Sequence, residues 1–262
     1  MTAMLDPKPC AAQLSGASCG SACGGAVVGA FVSATAFRTT DAAALSAAIC
    51  RYAAAHGVTC EDVAVSDDFG SNTLIFAPQN GWTVVFWPDQ FVGLDVPTVV
   101  TLTRELHLLA SVIFVDNGRY WAHVLVEDGV EIDHFCPHPS RILAQSADWV
   151  RHVATWRGQA ALLASKFGVP ESSVAPYLRD LDAEAEAAKP AKPGFFARLF
   201  AGEPPPFVAG PAFPDDEYDL DDYDVYVDFW RHAGIHRPAD MELASPAYSW
   251  RLGDDFAEKL PG

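Results

Sequence analysis

Residues 111–137 constrain the fold of this chain more than any other stretch. Three apolar runs are separated there by the dipeptides Asn117-Gly118 and Asp128-Gly129. Asn-Gly and Asp-Gly accept positive φ at low cost, so both dipeptides predict tight type I′ turns. The stretch is therefore expected to form a three-stranded antiparallel meander, with strands at 111–115, 119–126 and 130–136.

The turn at Asp128-Gly129 also predicts which side chains meet across the second hairpin. A two-residue turn sets the register, and it would place His123 opposite His134 and Trp121 opposite Cys136. A pair of histidines beside a cysteine would then lie on one face of the sheet. Both faces would be largely apolar, so we expect helices to cover one face and further chain to cover the other.

The chain from residue 26 to residue 140 predicts an α+β domain. A strand of small residues at 26–37 is followed by a helix that Asp41 can cap, a hairpin with Asn80-Gly81 at its turn, and a helix beginning near Asp95. With the meander, the element order is β-α-β-β-α-β-β-β. This order is typical of an antiparallel or mixed sheet of about six strands with helices packed on it.

A group of histidines and a cysteine is the strongest candidate for chemistry. His134, Cys136 and His138 occupy alternate positions, and His123 of the neighbouring strand could join them. Zinc accepts such ligands, so one alternative is a metal-dependent enzyme with its site on the 119–138 hairpin. Two prolines bend this strand end, however, and H-x-C-x-H is not a usual zinc spacing. We therefore prefer a packed, hydrogen-bonded histidine pair, with no metal or other cofactor and no catalytic residue.

Two helices are expected after the meander, at 147–167 and 171–181, as a helical hairpin within residues 141–182. Residues 163–181 resemble the helix-turn-helix of bacterial transcription regulators, with a glycine turn between two apolar helix faces. The resemblance implies that four residues would face the major groove of DNA, namely Glu171, Ser172, Ser173 and Ala175. Pro176 departs from the pattern because proline interrupts a helix. A transcription regulator is therefore an alternative, and a hairpin packed on the sheet is preferred.

The balance of charge argues against nucleic acid as the partner. The chain has 34 acidic and 17 basic residues, a net charge of −17, which opposes phosphate backbones and favours basic partners. No apolar run predicts a transmembrane segment, and the first residues lack the basic start of a signal peptide. Three of the six cysteines, Cys10, Cys19 and Cys23, lie in a flexible Cys/Gly/Ala-rich arm at 1–25. Cysteines this sparse favour a cytoplasmic protein over a disulfide scaffold.

The C-terminal part predicts a Pro/Ala-rich linker at 183–214 and an acidic segment at 215–262. The linker contains an aromatic stretch at 194–200 that could dock on a partner or a membrane surface. Residues 215–228 carry eight carboxylates, three tyrosines and no basic residue. Carboxylates attract a basic surface over long distances, and tyrosines anchor it at contact. The predicted partner-binding residues are Asp219, Asp221, Asp222, Tyr223, Asp224 and Tyr226.

The preferred function is that of a non-enzymatic cytoplasmic protein that binds a protein partner with a basic surface. Small acidic bacterial immunity proteins, which neutralise toxins such as nucleases with basic clefts, share this general character. The comparison rests on charge and fold class and not on a motif.

Overall fold

The computed structural model describes residues 31–63, 69–91, 95–143, 155–189, 207–238 and 246–252. These residues form an α+β fold around one antiparallel sheet of eight strands, two more than the six or so expected. The strands are β1 (Val32–Phe37), β2 (Cys60–Asp62), β3 (Thr73–Ile75), β4 (Thr83–Phe86), β5 (Leu109–Asp116), β6 (Tyr120–Glu127), β7 (Val130–Phe135) and β8 (Tyr248–Leu252). Their order in the sheet is β2-β8-β3-β4-β1-β5-β6-β7.

The additional strands are short and pair over long sequence distances. β8 comes from the end of the chain and lies between β2 and β3. The indole N–H of Trp250 in β8 donates a 2.8 Å hydrogen bond to the hydroxyl of Ser46. Strands of three to five residues give little periodic signal, so the sequence does not predict β2 or β8.

Helices cover both faces of the sheet. They are α1 (Ala42–Ala55), α2 (Asp95–Leu106), α3 (Pro139–Leu143), α4 (Ala160–Phe167), α5 (Leu181–Ala188) and α6 (Tyr226–His232). As expected, Asp41 caps α1, since its carboxylate accepts a 2.9 Å hydrogen bond from the backbone N–H of Ala44. The α1–α2 face of the sheet includes Val85, Val112 and Val124 in its core. The opposite α4–α6 face includes Ile113 and Trp121.

The acidic segment contributes directly to the core of the α4–α6 face. Its buried apolar residues pack in the same cluster as Leu163 of α4 and Trp121 of β6. These residues are Leu220, Val225, Tyr226, Phe229, Trp230, Ala233 and Ile235. The described part of this segment is therefore built into the core, although its composition predicted an acidic C-terminal appendage to the sheet domain.

The meander is confirmed, and its turns have the predicted backbone. Asn117 and Asp128 have φ angles of 52° and 50°, and each is followed by a glycine with positive φ. The register differs from the prediction, however. Beyond the Asp128-Gly129 turn, β7 has a β-bulge, so that Leu125 pairs with Asp133 and His123 pairs with Phe135. The predicted pairing of His123 with His134 is therefore wrong.

Core packing explains the shifted register. The bulge places Phe135 on the α4–α6 face, where its ring lies 5.4 Å from that of Trp121. His134 lies on the opposite face, and its partner in the neighbouring strand β6 is Val124. An unbulged strand would have put an imidazole at the buried aromatic position, which is less favourable.

The predicted helix pair forms only in part. α4 begins at Ala160, and the preceding Arg157 forms a β-bridge with Phe135. Gly158 has a φ of 67°, which an α-helix does not accommodate. In place of the helix at 171–181 there are two 3₁₀ turns, Glu171–Ser173 and Ala175–Tyr177, because Pro176 cannot continue an α-helix. Residues 1–25 with their cysteines, residues 144–154 and the 194–200 stretch lie outside the described residues.

Candidate functional site

The four candidate metal ligands on the meander do not come together. His123 is fully buried on the α4–α6 face, whereas His134 lies on the other face with its ring 5.2 Å from that of Trp156. Cys136 and His138 follow the end of β7. Among the described residues, the one group of carboxylates and histidines close enough to hold a metal is Asp215, Asp216 and His232, which includes none of the four. The arrangement required for the metal-dependent enzyme is therefore not formed.

Cys136 and His138 connect the end of β7 to α5. Nδ1 of His138 lies 2.9 Å from a carboxylate oxygen of Asp182, and the backbone N–H of Ser140 donates to the other oxygen. The backbone N–H of His138 donates to the sulfur of Cys136 at 3.3 Å. Burial raises the pKa of the Cys136 thiol, so the reactive thiolate is disfavoured. These contacts hold the chain in place and do not create a nucleophile.

The residues predicted to read DNA do not form a recognition helix. Glu171 and Ser172 are exposed, but Ser173 and Ala175 are half-buried in the 3₁₀ turns. Val174, Tyr177 and Leu181 are buried in the core of the α4–α6 face. Residues 163–181 therefore pack against the sheet, and the structure gives no support to a helix-turn-helix.

Arg231 divides the carboxylates of the acidic segment into two groups. Its guanidinium contacts the carboxylates of Asp215, Asp216 and Asp228 at 2.8, 2.9 and 3.0 Å. The side chains of Asp216 and Asp228 are 0% and 4% exposed. In two of these ion pairs, therefore, the carboxylate is buried from water. Tyr177 also donates a 2.8 Å hydrogen bond to Asp216. Asp215, Asp216 and Asp228, together with Arg231, form the first group, which anchors the segment to the core.

The second group of carboxylates lies in residues 217–224, the acidic loop. Its carboxylates form no ion pair with any basic residue in the described parts of the chain. Asp219, Asp221 and Asp222 are exposed, whereas Tyr223 and Asp224 are half-buried. The carboxylate of Asp222 accepts a 2.9 Å hydrogen bond from the N–H of Asp224, which begins a 3₁₀ turn. The loop thus holds unpaired negative charge in a defined conformation.

Asp224 shows the effect of this crowding. Burial and the neighbouring carboxylate of Asp222 raise its pKa to about 6, although Arg237 acts in the opposite direction. A raised carboxyl pKa means that the folded protein disfavours the ionised side chain. A cation placed next to Asp224 would relieve this unfavourable interaction.

Five of the six predicted partner-binding residues are accessible to a partner, and the sixth, Tyr226, is buried. Tyr226 is 0% exposed and packs with the core of the α4–α6 face, so a partner cannot reach it without local unfolding. The sequence analysis did not identify Arg231. Its position three residues after Asp228 could have predicted their ion pair, because residues three apart lie on the same face of a helix.

Among the helices of the described residues, none is long and apolar enough to cross a membrane. Comparison of the chain with protein-family models, with curated proteins and with solved structures found no match.

Proposed function

We propose that this is a non-enzymatic binding protein that holds a protein partner with a basic surface through the acidic loop. The observation that carries the proposal is the division of the acidic segment by Arg231. Three carboxylates share ion pairs with Arg231 there, while those of Asp219, Asp221 and Asp222 remain exposed and without an ion pair among the described residues. Unpaired carboxylates held close together repel one another, and a basic partner would remove that repulsion.

The loop combines charge with aromatic surface. Tyr218 and Tyr223 are partly buried against the core of the α4–α6 face, which limits their freedom before binding. Tyrosines held in this way lose little conformational entropy on contact, and they are frequent among residues that dominate binding energy. The carboxylates would accelerate encounter, and the tyrosines would slow dissociation.

A neutralising role, of the kind that immunity or inhibitor proteins have, agrees with a net charge of −17 and with the anchoring of the chain beside the loop by the ion pair of Asp216 with Arg231. Inhibitors of basic enzymes gain association rate from such charge, because electrostatic steering raises it about 10- to 1000-fold at low salt. A cytoplasmic location is part of the proposal and rests on the sparse cysteines.

The test begins with capture of the partner from the native lysate, followed by binding kinetics at several salt concentrations. Replacing Asp219, Asp221 and Asp222 together with Asn should slow association and flatten its salt dependence. Tyr223→Ala should instead speed dissociation.

A matched control changes three exposed acidic side chains elsewhere, Glu61→Gln, Asp62→Asn and Glu186→Gln, so that the net charge rises by the same amount. Steering by the whole protein would slow association equally in both triple variants, and that result would contradict a site at the acidic loop. A larger effect of the loop variant supports the proposal.

A further inference from the structure

We propose that a pocket beside β7, formed around Asp133, binds an alkylammonium or guanidinium group. The pocket has a volume of about 260 Å³ and is lined mainly by Ile132, Asp133, His134, Thr155, Arg157 and Gln159. None of these residues belongs to the acidic loop, so the Asp133 pocket is a second site whose existence does not depend on the function proposed above.

The β-bulge in β7 builds this pocket. It allows Asp133 to pair with Leu125, while Glu131 and His134, three residues apart, both lie on the opposite face. The chain at 155–159 then runs along the free edge of β7, where the N–H of Gly158 donates to the carbonyl of His134 at 2.8 Å. Bulges are frequent next to binding sites because they redirect individual side chains.

Asp133 is a buried carboxylate, and only one of its two oxygens has a side-chain partner. The residue is 3% exposed, and the side-chain amide of Gln159 donates to its Oδ1 at 3.3 Å. Its Oδ2 has no hydrogen-bond partner. Burial raises the pKa of Asp133, although hydrogen bonding by the backbone and side chain of Gln159 and the nearby His134 act in the opposite direction. Buried carboxylates are normally paired, so an unpaired oxygen beside a pocket indicates a position for a donor from outside the chain.

The charges around the pocket favour a cation. His134 contacts Glu131 at 2.7 Å, and Arg157 contacts Asp180 at 3.8 Å, so each basic group already has its own acidic partner. Among the described residues, Asp133 forms no ion pair of its own, although His134 favours its charged form. The volume is below the roughly 300–1,000 Å³ of most cofactor and drug sites, so the pocket suits a group the size of a lysine or arginine head. Such a group can belong to a free small amine or to a basic side chain of a protein.

The experiment is an NMR titration of the isotopically labelled full chain with methylguanidinium and with n-butylammonium. Saturable shifts are expected at the backbone amides of His134 and Gln159, with a Kd on the order of millimolar for ligands this small. Tetramethylammonium carries the same charge but no N–H donor, so it should bind at least tenfold more weakly. A Gly-Arg-Gly peptide separates the two sources, because only a pocket that accepts a protein side chain will bind it as well as methylguanidinium.

Asp133→Asn tests the role of the carboxylate through two measurements. Its Kd for methylguanidinium should rise at least tenfold, and its melting temperature should rise as well, because an unpaired buried charge has been removed. Asp128→Asn, at the exposed turn of the same hairpin, should change neither measurement. The inference is wrong if no saturable shifts appear, if Asp133→Asn binds as the parent does, or if that variant melts at a lower temperature, which would make Asp133 a structural residue.

Discussion

The indole N–H of Trp230 donates a 2.9 Å hydrogen bond to the hydroxyl of Ser111, joining two residues that are 119 positions apart in the chain. The same hydroxyl lies 3.0 Å from Nε2 of His123, to which it can donate its own proton. All three side chains are buried. This polar contact ties α6, and with it the acidic segment, to the centre of the sheet.

Replacing Ser111 with Ala should lower the free energy of unfolding by about 1–3 kcal/mol, because Trp230 and His123 would each lose a partner in a buried environment. Urea denaturation measures this change. Ser165→Ala, on an exposed position of α4, should stay within about 0.5 kcal/mol of the parent. Equal losses in the two variants would show that the Ser111 contact does not stabilise the fold.

His123 should make stability depend on pH. Burial, with a smaller contribution from His134, lowers its pKa to about 3. An unfolded histidine has a pKa of about 6.5, so between these values the unfolded chain binds one more proton. Stability should be complete above pH 6.5 and should fall as the pH falls, by up to about 1.4 kcal/mol per pH unit.

Denaturation at pH 6.5 and pH 5 measures this slope, which should be smaller in His123→Gln. His107→Gln is the control, because it removes a histidine whose side chain is 84% exposed. If the two variants have the same slope, the buried imidazole does not account for the acid sensitivity.

The meander could be predicted from the sequence because its turns depend on local chemistry. Asn117 and Asp128 adopt the positive φ that the dipeptides indicated. The register could not be predicted, because the bulge in β7 depends on contacts with residues that are distant in the sequence. Phe135 lies against Trp121, and Trp121 in turn packs against Phe229, which enters the core from the C-terminal part of the chain.

The candidate sites also combine features that the sequence predicts with features that only the fold determines. The negative charge of residues 215–228 is visible in the sequence, but which carboxylates form ion pairs depends on the position of Arg231. The Asp133 pocket depends on a one-residue shift in strand pairing and on the chain at 155–159, neither of which a local pattern reports.

Arg231 should contribute far more to stability than an exposed arginine does. Arg231→Met would leave the buried carboxylates of Asp216 and Asp228 without their guanidinium, and we expect a loss of about 1–3 kcal/mol. This is below the value for a fully buried pair because Arg231 itself is 45% exposed. The comparison is Arg51→Met, which breaks an ion pair with Glu105 whose side chains are 58% and 40% exposed. Similar losses in urea denaturation would mean that the three-carboxylate contact is not an anchor.

Asp224 should reduce the stability of the folded protein at neutral pH. Its pKa is raised to about 6 by burial and by Asp222, so the ionised side chain is less favourable in the folded state than in the unfolded chain. This destabilisation should be absent near pH 4, should grow as the pH rises to about 6, and should be constant above that value. Asp224→Asn should therefore raise the melting temperature at pH 7 and leave it nearly unchanged at pH 4.

Differential scanning calorimetry at the two pH values tests this, with Asp62→Asn, an exposed residue of β2, as the control. A stabilised Asp224→Asn variant that also binds the partner more weakly would show that the loop keeps an unfavourable charge for binding, since functional sites often reduce stability. Equal shifts at pH 4 and pH 7, or a lower melting temperature at pH 7, would instead show that the carboxylate of Asp224 is a structural group, and the unpaired charge of the acidic loop would no longer support a binding site there.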